Sequence, residues 1–295
     1  ALLDALVERY GWEPGRDRNG AITALFRDGA VVTLEPGGQL ELSGRITQTI
    51  FETQSELNAH LREVADVGAA LGQRWTHLGL NPWDAPDAIP WMPKSRYQVM
   101  RDYLARRGTM GHWMMKATCT VQANFDYRDE ADAMRKLALT SRLSPLVTAL
   151  FATTPVREGR ARGFASSRME IWENTDPDRT GTPDTYLDLG AGFAGIVEWA
   201  LDVPMLFVVR DGAYVDVSGT TFRRFLAGDL PDLVPTMGDW NLHVSTLFPD
   251  VRLKRYIEVR TADAGRPAQL LALPALWKGV LYDEVAMRRA ESLLR

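Results

Sequence analysis

The chain has 295 residues, 45% hydrophobic and 24% charged, a globular mix that excludes a disordered, fibrous or collagen-like chain. Its 34 Lys and Arg against 38 Asp and Glu leave a net charge of −4, which argues against a nucleic acid or an anionic membrane as the main partner. Cys119 is the only cysteine, so neither an internal disulfide nor a thiolate metal cage can form.

The longest apolar run, 203–209, contains Pro204 and is too short to cross a bilayer. The first ten residues carry Asp4 and Glu8 without a basic n-region, so they do not read as a signal peptide. A cytoplasmic protein is expected.

The first helix is expected over 1–10, closed by Gly11. Gln39, Glu41 and Ser43 then alternate with Leu40 and Leu42, the period of a strand. Leu57, Leu61, Val64, Gly68 and Leu71 fall at helical spacing, and Gly72 can supply a left-handed cap. Thr118, Thr120, Gln122, Asn124 and Asp126 alternate with Cys119, Val121, Ala123, Phe125 and Tyr127, a second strand signal. A helix begins at Asp129, with Ala133, Met134, Leu137 and Ser141 on one side; Pro145 either kinks it or starts another behind a Ser144 cap. Shorter helices are expected over 193–201, 221–227 and 240–246, a strand over 254–260, and a last helix from Asp283. This order predicts an α+β fold, an antiparallel sheet with helices on one face. No G-x-G-x-x-G or P-loop pattern follows a strand.

Chemistry concentrates in three places. In Leu-Glu-Pro-Gly-Gly-Gln-Leu-Glu-Leu-Ser-Gly (34–44) a Pro-Gly-Gly turn or bulge stands between Glu35 and Glu41. An even separation puts both on one face of a strand, and a turn sets them across from each other. With Glu258 they offer three hard oxygen donors suited to Mg²⁺ or Mn²⁺; the plainer reading makes Glu35 and Glu41 surface acids flanking a hairpin. Around Glu258, Lys254, Tyr256 and Arg260 place a carboxylate between cations. Arg96, Arg168 and Arg179 each lie among small or turn-forming residues. Arg can grip a carboxylate or phosphate at two points, although taken singly each is more often a surface or loop-tying residue. His60, His77, His112 and His243 show no ligand spacing, Cys119 reads as a buried thiol, and Trp75, Trp83 and Trp91 read as packing.

These segments resemble the plant and proteobacterial type of glutamate–cysteine ligase. The similarity runs through 34–44, Met-Pro-Lys-Ser-Arg-Tyr-Gln-Val-Met-Arg (92–101), Thr-Cys-Thr-Val-Gln-Ala-Asn (118–124) and 168–172. It continues through Thr-Asp-Pro-Asp-Arg-Thr-Gly (175–181), Ala-Leu-Asp-Val-Pro-Met (200–205), 221–228 and Phe-Pro-Asp-Val-Arg-Leu-Lys-Arg-Tyr-Ile-Glu-Val-Arg (248–260). In family order over nearly the whole chain, it is specific.

The resemblance implies a glutamine-synthetase-like funnel of curved antiparallel sheet with helices packed on its outer face. It implies one catalytic domain over 1–295, lacking the family's N-terminal strand and C-terminal extension. The implied reaction joins L-glutamate to L-cysteine at the expense of ATP, with Mg²⁺ or Mn²⁺, in a monomer or homodimer without nucleic-acid or membrane partners. Glu35, Glu41 and Glu258 would hold metal, and Arg96 and Arg168 would grip glutamate in a pocket lined by Thr118, Thr120 and Gln122. Arg255 and Arg260 would contact phosphates. A related ligase using another amine, or an inactive amino-acid-binding homologue, remains the alternative. The redox cysteine pairs of plant members have no counterpart, since Cys119 stands alone.

Overall fold

The computed structural model describes residues 1–17 and 19–294. At its start, Leu3 and Leu6 give α1 (Leu2–Tyr10) an apolar side, and Gly11 at φ 68° closes it. An antiparallel meander follows: β1 (Glu13–Arg16), β2 (Ile22–Arg27), β3 (Ala30–Leu34) and β4 (Leu40–Ser43). The long α2 (Ile50–Ala70) begins at a reciprocal Thr49–Glu52 cap, which satisfies backbone donors that the first turn leaves open. Trp12, Leu25 and Val32 meet Leu6 and Val67 in a core shared by these elements.

A second core forms where α3 (Ser95–Arg107) and α4 (Gly111–Ala117) pack together, burying Tyr103, Leu104 and Met115. The chain then enters β5 (Ala123–Phe125) and α5 (Glu130–Leu150), whose Asp129 cap accepts from the Asp132 amide. Pro145 sits inside α5 without ending it. A small hairpin, β6 (Val156–Arg157) and β7 (Arg160–Ala161), leads to α6 (Ser167–Glu173), which adds Ile171 to the second core. Beyond it come β8 (Thr180–Gly181), α7 (Gly192–Asp202) and the hairpin β9 (Phe207–Arg210) and β10 (Ala213–Asp216). Next are α8 (Phe222–Leu226), α9 (Met237–Ser245) and β11 (Phe248–Pro249), which pairs in parallel with β8.

The remaining strands carry the polar face that matters most. β12 (Val251–Leu253) and β13 (Ile257–Val259) are antiparallel, and β13 also pairs with β5. The register sets Arg252 opposite Glu258 and Glu258 opposite Asn124. Because side chains alternate, Val251, Ile257, Val259 and Phe125 all turn to the other face. There they meet Leu137 of α5, Trp277 of α10 (Pro267–Tyr282) and Met287 of α11 (Glu284–Leu293) in the third core.

The α+β expectation holds in its coarse form: the structure mixes helices with several small antiparallel sheets. Where one curved sheet was expected, the strands of the described residues fall into separate small sheets. The strand expected over 118–127 shortens to β5, because Thr118 and Thr120 make only isolated bridges to Leu80 and Asp263. Strands β1 to β3 and helices α3, α4, α6 and α10 were not anticipated.

Candidate active site

The turn between β3 and β4 puts two acids together. Leu34 pairs with Leu40, the Glu35 amide donates to the Gln39 carbonyl (2.8 Å), and Gly38 takes φ 86°. Gly37 lies so near the end of α4 that an added Cβ would stand 2.1 Å from the Lys116 carbonyl oxygen. Gln39 fixes the turn from inside: its Oε1 accepts from the Gly37 amide, and its Nε2 donates to the Met115 and Thr118 carbonyls. The Glu35 and Glu41 side chains then come within hydrogen-bonding range of one another. Burial and the Glu41 charge raise the Glu35 carboxyl above its usual range, while Arg96 and Lys94 oppose them. Two crowded carboxylates are a donor set that a hard divalent cation satisfies.

Glu258 has a different setting. It is buried on the polar face of the three-stranded sheet, ion-paired to Arg252 (2.6 Å), Lys254 (2.9 Å) and Arg260 (2.9 Å). Burial works to raise its carboxyl, but Arg260, Arg252 and Lys254 hold it down at about 2. Arg260 also donates to Gln122 Oε1 (3.3 Å) and feels the charge of Glu41. The hairpin acids and the sheet cations therefore face a common space. Three cations around one carboxylate leave net positive charge there, suited to a polyanion.

Arg168 reaches the same place from α6. Ser166 caps that helix through its hydroxyl, which accepts from the Met169 amide. Arg168 is only 2% exposed; its Nη1 and Nη2 donate to the Thr261 and Arg260 carbonyls at 3.1 Å, and its Nε has no partner among the described residues. Burial lowers it to about 10, with Asp263 opposing that shift. Asp263 is itself buried and accepts from the Thr154 hydroxyl (2.8 Å), the Ser166 hydroxyl (2.9 Å) and the Thr153 amide (2.9 Å). It thereby ties down the start of the helix that carries Arg168.

The other expected residues divide. Arg96 stands near the acid pair, where its charge opposes the rise of Glu35. Thr118 and Thr120 spend their hydroxyl protons on backbone, toward the carbonyls of Met114 (2.7 Å) and Ala262 (2.7 Å). Gln122 is exposed on the polar face. Arg255 is exposed, and no hydrogen bond or ion pair is seen for its side chain among the described residues. Arg252 and Lys254 hold the position beside Glu258 instead; Lys254 was read as one of the cations around that carboxylate, whereas Arg252 and Asp263 were not singled out. Period-two alternation could have flagged Arg252, which lies two residues before Lys254.

Of the three carboxylates expected to bind metal, Glu35 and Glu41 converge. Among the described residues, no group of three His, Cys, Asp or Glu has metal-holding geometry. The pair fits a divalent cation by its oxygen chemistry, whereas Glu258 is already engaged by cations.

Comparison with known proteins extends this picture. The family described as glutamate-cysteine ligase family 2 matches residues 5–294. The chain is 46% identical over 292 residues to the chloroplastic glutamate–cysteine ligase of Medicago truncatula, covering 98% of this chain and 57% of that protein. The Brassica juncea chloroplastic enzyme is 47% identical over 286 residues, with 96% and 55% covered. That of Arabidopsis thaliana is 45% identical over 290 residues, with 97% and 55% covered. The chain thus spans about half the length of the curated relatives it matches. All three relatives are chloroplastic by name, which overturns the cytoplasmic location expected from the sequence.

Proposed function

The chain belongs to glutamate-cysteine ligase family 2, and we propose that it carries the active site of an ATP-dependent ligase joining the γ-carboxylate of L-glutamate to the amine of L-cysteine. One observation carries the reading: the crowded Glu35–Glu41 pair lies close enough to the Glu258–Arg260 ion pair for its charge to reach Arg260, whose carbonyl in turn accepts from Arg168 at 3.1 Å. The same proximity supports a glutamine-synthetase-like funnel, with the hairpin and the three-stranded sheet as parts of its wall.

A carboxylate is a poor acyl donor. Its γ-oxygen attacks the γ-phosphorus of ATP, ADP leaves, and a γ-glutamyl phosphate results. The cysteine amine then attacks the acyl carbon, expels inorganic phosphate and loses a proton to form the amide. The first step gathers negative charge from two anions. Arg252, Lys254 and Arg260 would hold the phosphates, and Arg168, through its unpaired Nε, would hold a glutamate carboxylate beside Arg96. Glu35 and Glu41 would hold Mg²⁺, with Glu258 a third donor once its cation partners engage the triphosphate. Bound there, the ion would offset phosphate charge and help align the reacting oxygens.

The test is phosphate release from ATP by this chain with Mg²⁺ and glutamate, with and without cysteine. Cysteine-dependent release is expected. A folded chain silent in both conditions would overturn the reading and favour an inactive homologue.

A further inference from the structure

Asp250 stands just before β12, where the Arg260 amide donates to its carbonyl (3.2 Å) and prolongs the pairing of β12 with β13. Alternation puts it on the polar face with Arg252 and Glu258. Its Oδ2 accepts from the Thr182 hydroxyl (3.0 Å), and its Oδ1 accepts no hydrogen bond among the described residues. Burial raises the carboxyl above its usual range, while Thr182 and the charges of Arg168 and Arg260 oppose that rise. Arg260 ion-pairs with Glu258 (2.9 Å), and each Arg168 Nη donates to a carbonyl. Neither is seen ion-paired to Asp250 among the described residues.

Arg168, Trp172, Phe248, Asp250 and Arg260 line a niche of about 10 Å³, room for one group the size of a water molecule or an ammonium. Both guanidiniums lie over the Trp172 ring, at 5.5 Å and 5.8 Å. Arg168 Nε and Trp172 Nε1 are buried without a partner among the described residues. The niche therefore offers an anion and free N–H donors side by side. An α-amino acid matches both, since its ammonium and its carboxylate share one carbon.

We propose that Asp250 holds the α-ammonium of glutamate while Arg168 holds the α-carboxylate, and that this keeps the α-amine protonated during the reaction. This role rests on the ligase reading and deepens it. In γ-glutamyl phosphate a free α-amine can attack its own acyl carbon and close an unstrained lactam. The carbon–oxygen bond to phosphate breaks, inorganic phosphate leaves with the electron pair, the nitrogen loses a proton, and 5-oxoproline results. Such a closure within one molecule competes strongly with attack by a second one. An ammonium has no lone pair for it. Cysteine is a poor occupant, because its amine must lose its proton to attack.

The test is Asp250→Asn, which keeps the shape and the Thr182 hydrogen bond and removes the charge. Products from ATP, Mg²⁺, glutamate and cysteine are separated, and calorimetry compares glutamate with glutarate, which lacks the ammonium. The wild type is expected to prefer glutamate and to release mostly γ-glutamylcysteine. D250N is expected to lose about tenfold or more of that preference and to raise the 5-oxoproline share of turnovers about tenfold or more. Asp250→Glu, which keeps the charge, should stay closer to the wild type on both ratios; a residue that only braces the strand would move neither. If D250N does not turn over, its glutamate-to-glutarate binding ratio decides alone, and if it does not fold, Asp250→Ser serves the same comparison. Wild-type ratios in the uncharged variant, or a wild type indifferent to the ammonium, would overturn the role of Asp250 while leaving the ligase standing. A wild type that releases no phosphate with glutamate and cysteine would sink the ligase reading itself, and the role of Asp250 with it.

Discussion

Glu41 and Glu258 are both carboxylates of the same polar space, yet their surroundings differ. Glu41 is exposed at the hairpin and, besides Glu35 nearby, accepts among the described residues from the Ser43 hydroxyl at 3.1 Å. Glu258 is buried among three cations. Glu41→Gln and Glu258→Gln keep the side-chain shape and remove its charge, so each is expected to cut ATP turnover by on the order of 100-fold while the fold persists. Steady-state phosphate release together with circular dichroism checks this; wild-type turnover in both variants would remove the acids from the mechanism. Arg168→Lys is argued from geometry. Each Nη group donates to a backbone carbonyl, and Nε has no partner among the described residues. Lys, with a single nitrogen, cannot bond both carbonyls in this geometry and still present a donor to substrate. The expected result is a KM for glutamate raised about tenfold with the KM for ATP little changed; an unchanged glutamate KM would leave Arg168 a purely structural clamp.

At the scale of elements, the hairpin of β3 and β4 shows what local sequence could and could not disclose. Pro-Gly-Gly between two acids signals a turn, and the turn exists, but the reason for Gly37 lies 79 residues on, where the Lys116 carbonyl of α4 approaches. Its Cβ would collide with backbone, which cannot swing aside. Gly37→Ala is therefore expected to push the turn off α4, separate Glu35 from Arg96 and lower turnover by about tenfold or more, with only a modest fall in melting temperature. Full activity in that variant would mean that the turn can shift without moving the acids.

The same contrast of local and distant causes runs through the other elements. Helices begin at Asp129 and Asp283 as read, where each aspartate caps the first turn, a local bond. The strand expected over 118–127 was too long, since Thr118 turns its hydroxyl back to Met114 and pairing resumes only at β5. Helix α10 escaped because it is largely apolar and contains Pro274, so no amphipathic period marks it. Within the site, Glu35, Glu41, Arg168 and Glu258 were legible as residue types. The hold of Asp263 on α6 was not, because it joins segments about 100 residues apart.

Across the whole molecule, the polar space draws on all three larger cores: the hairpin comes from the first, Arg168 rides on a helix of the second, and Glu258 lies on the sheet over the third. Anything that loosens the packing as a whole should therefore dismantle the site, and two buried histidines supply such a lever. His60 meets Trp12 edge to face beside the first core, and His243 lies stacked against Phe222 with its Nε2 donating to the Ala200 carbonyl at 2.7 Å. Burial lowers each to about 4, from an ordinary 6.5. Neither Nδ1 has a partner among the described residues. Both rings thus stay neutral in the fold, while the unfolded chain takes up protons below pH 6.5. The stability they contribute is complete above pH 6.5 and is lost as pH falls toward 4, by about 3 kcal/mol per histidine at the bottom of that window. Urea midpoints measured from pH 7 down to pH 4 should fall across that interval. His243→Phe, which cannot take up a proton, should flatten part of the slope even if it lowers stability at neutral pH. A slope identical to wild type would show that His243 titrates alike in both states, and the acid sensitivity would then belong to the carboxylates.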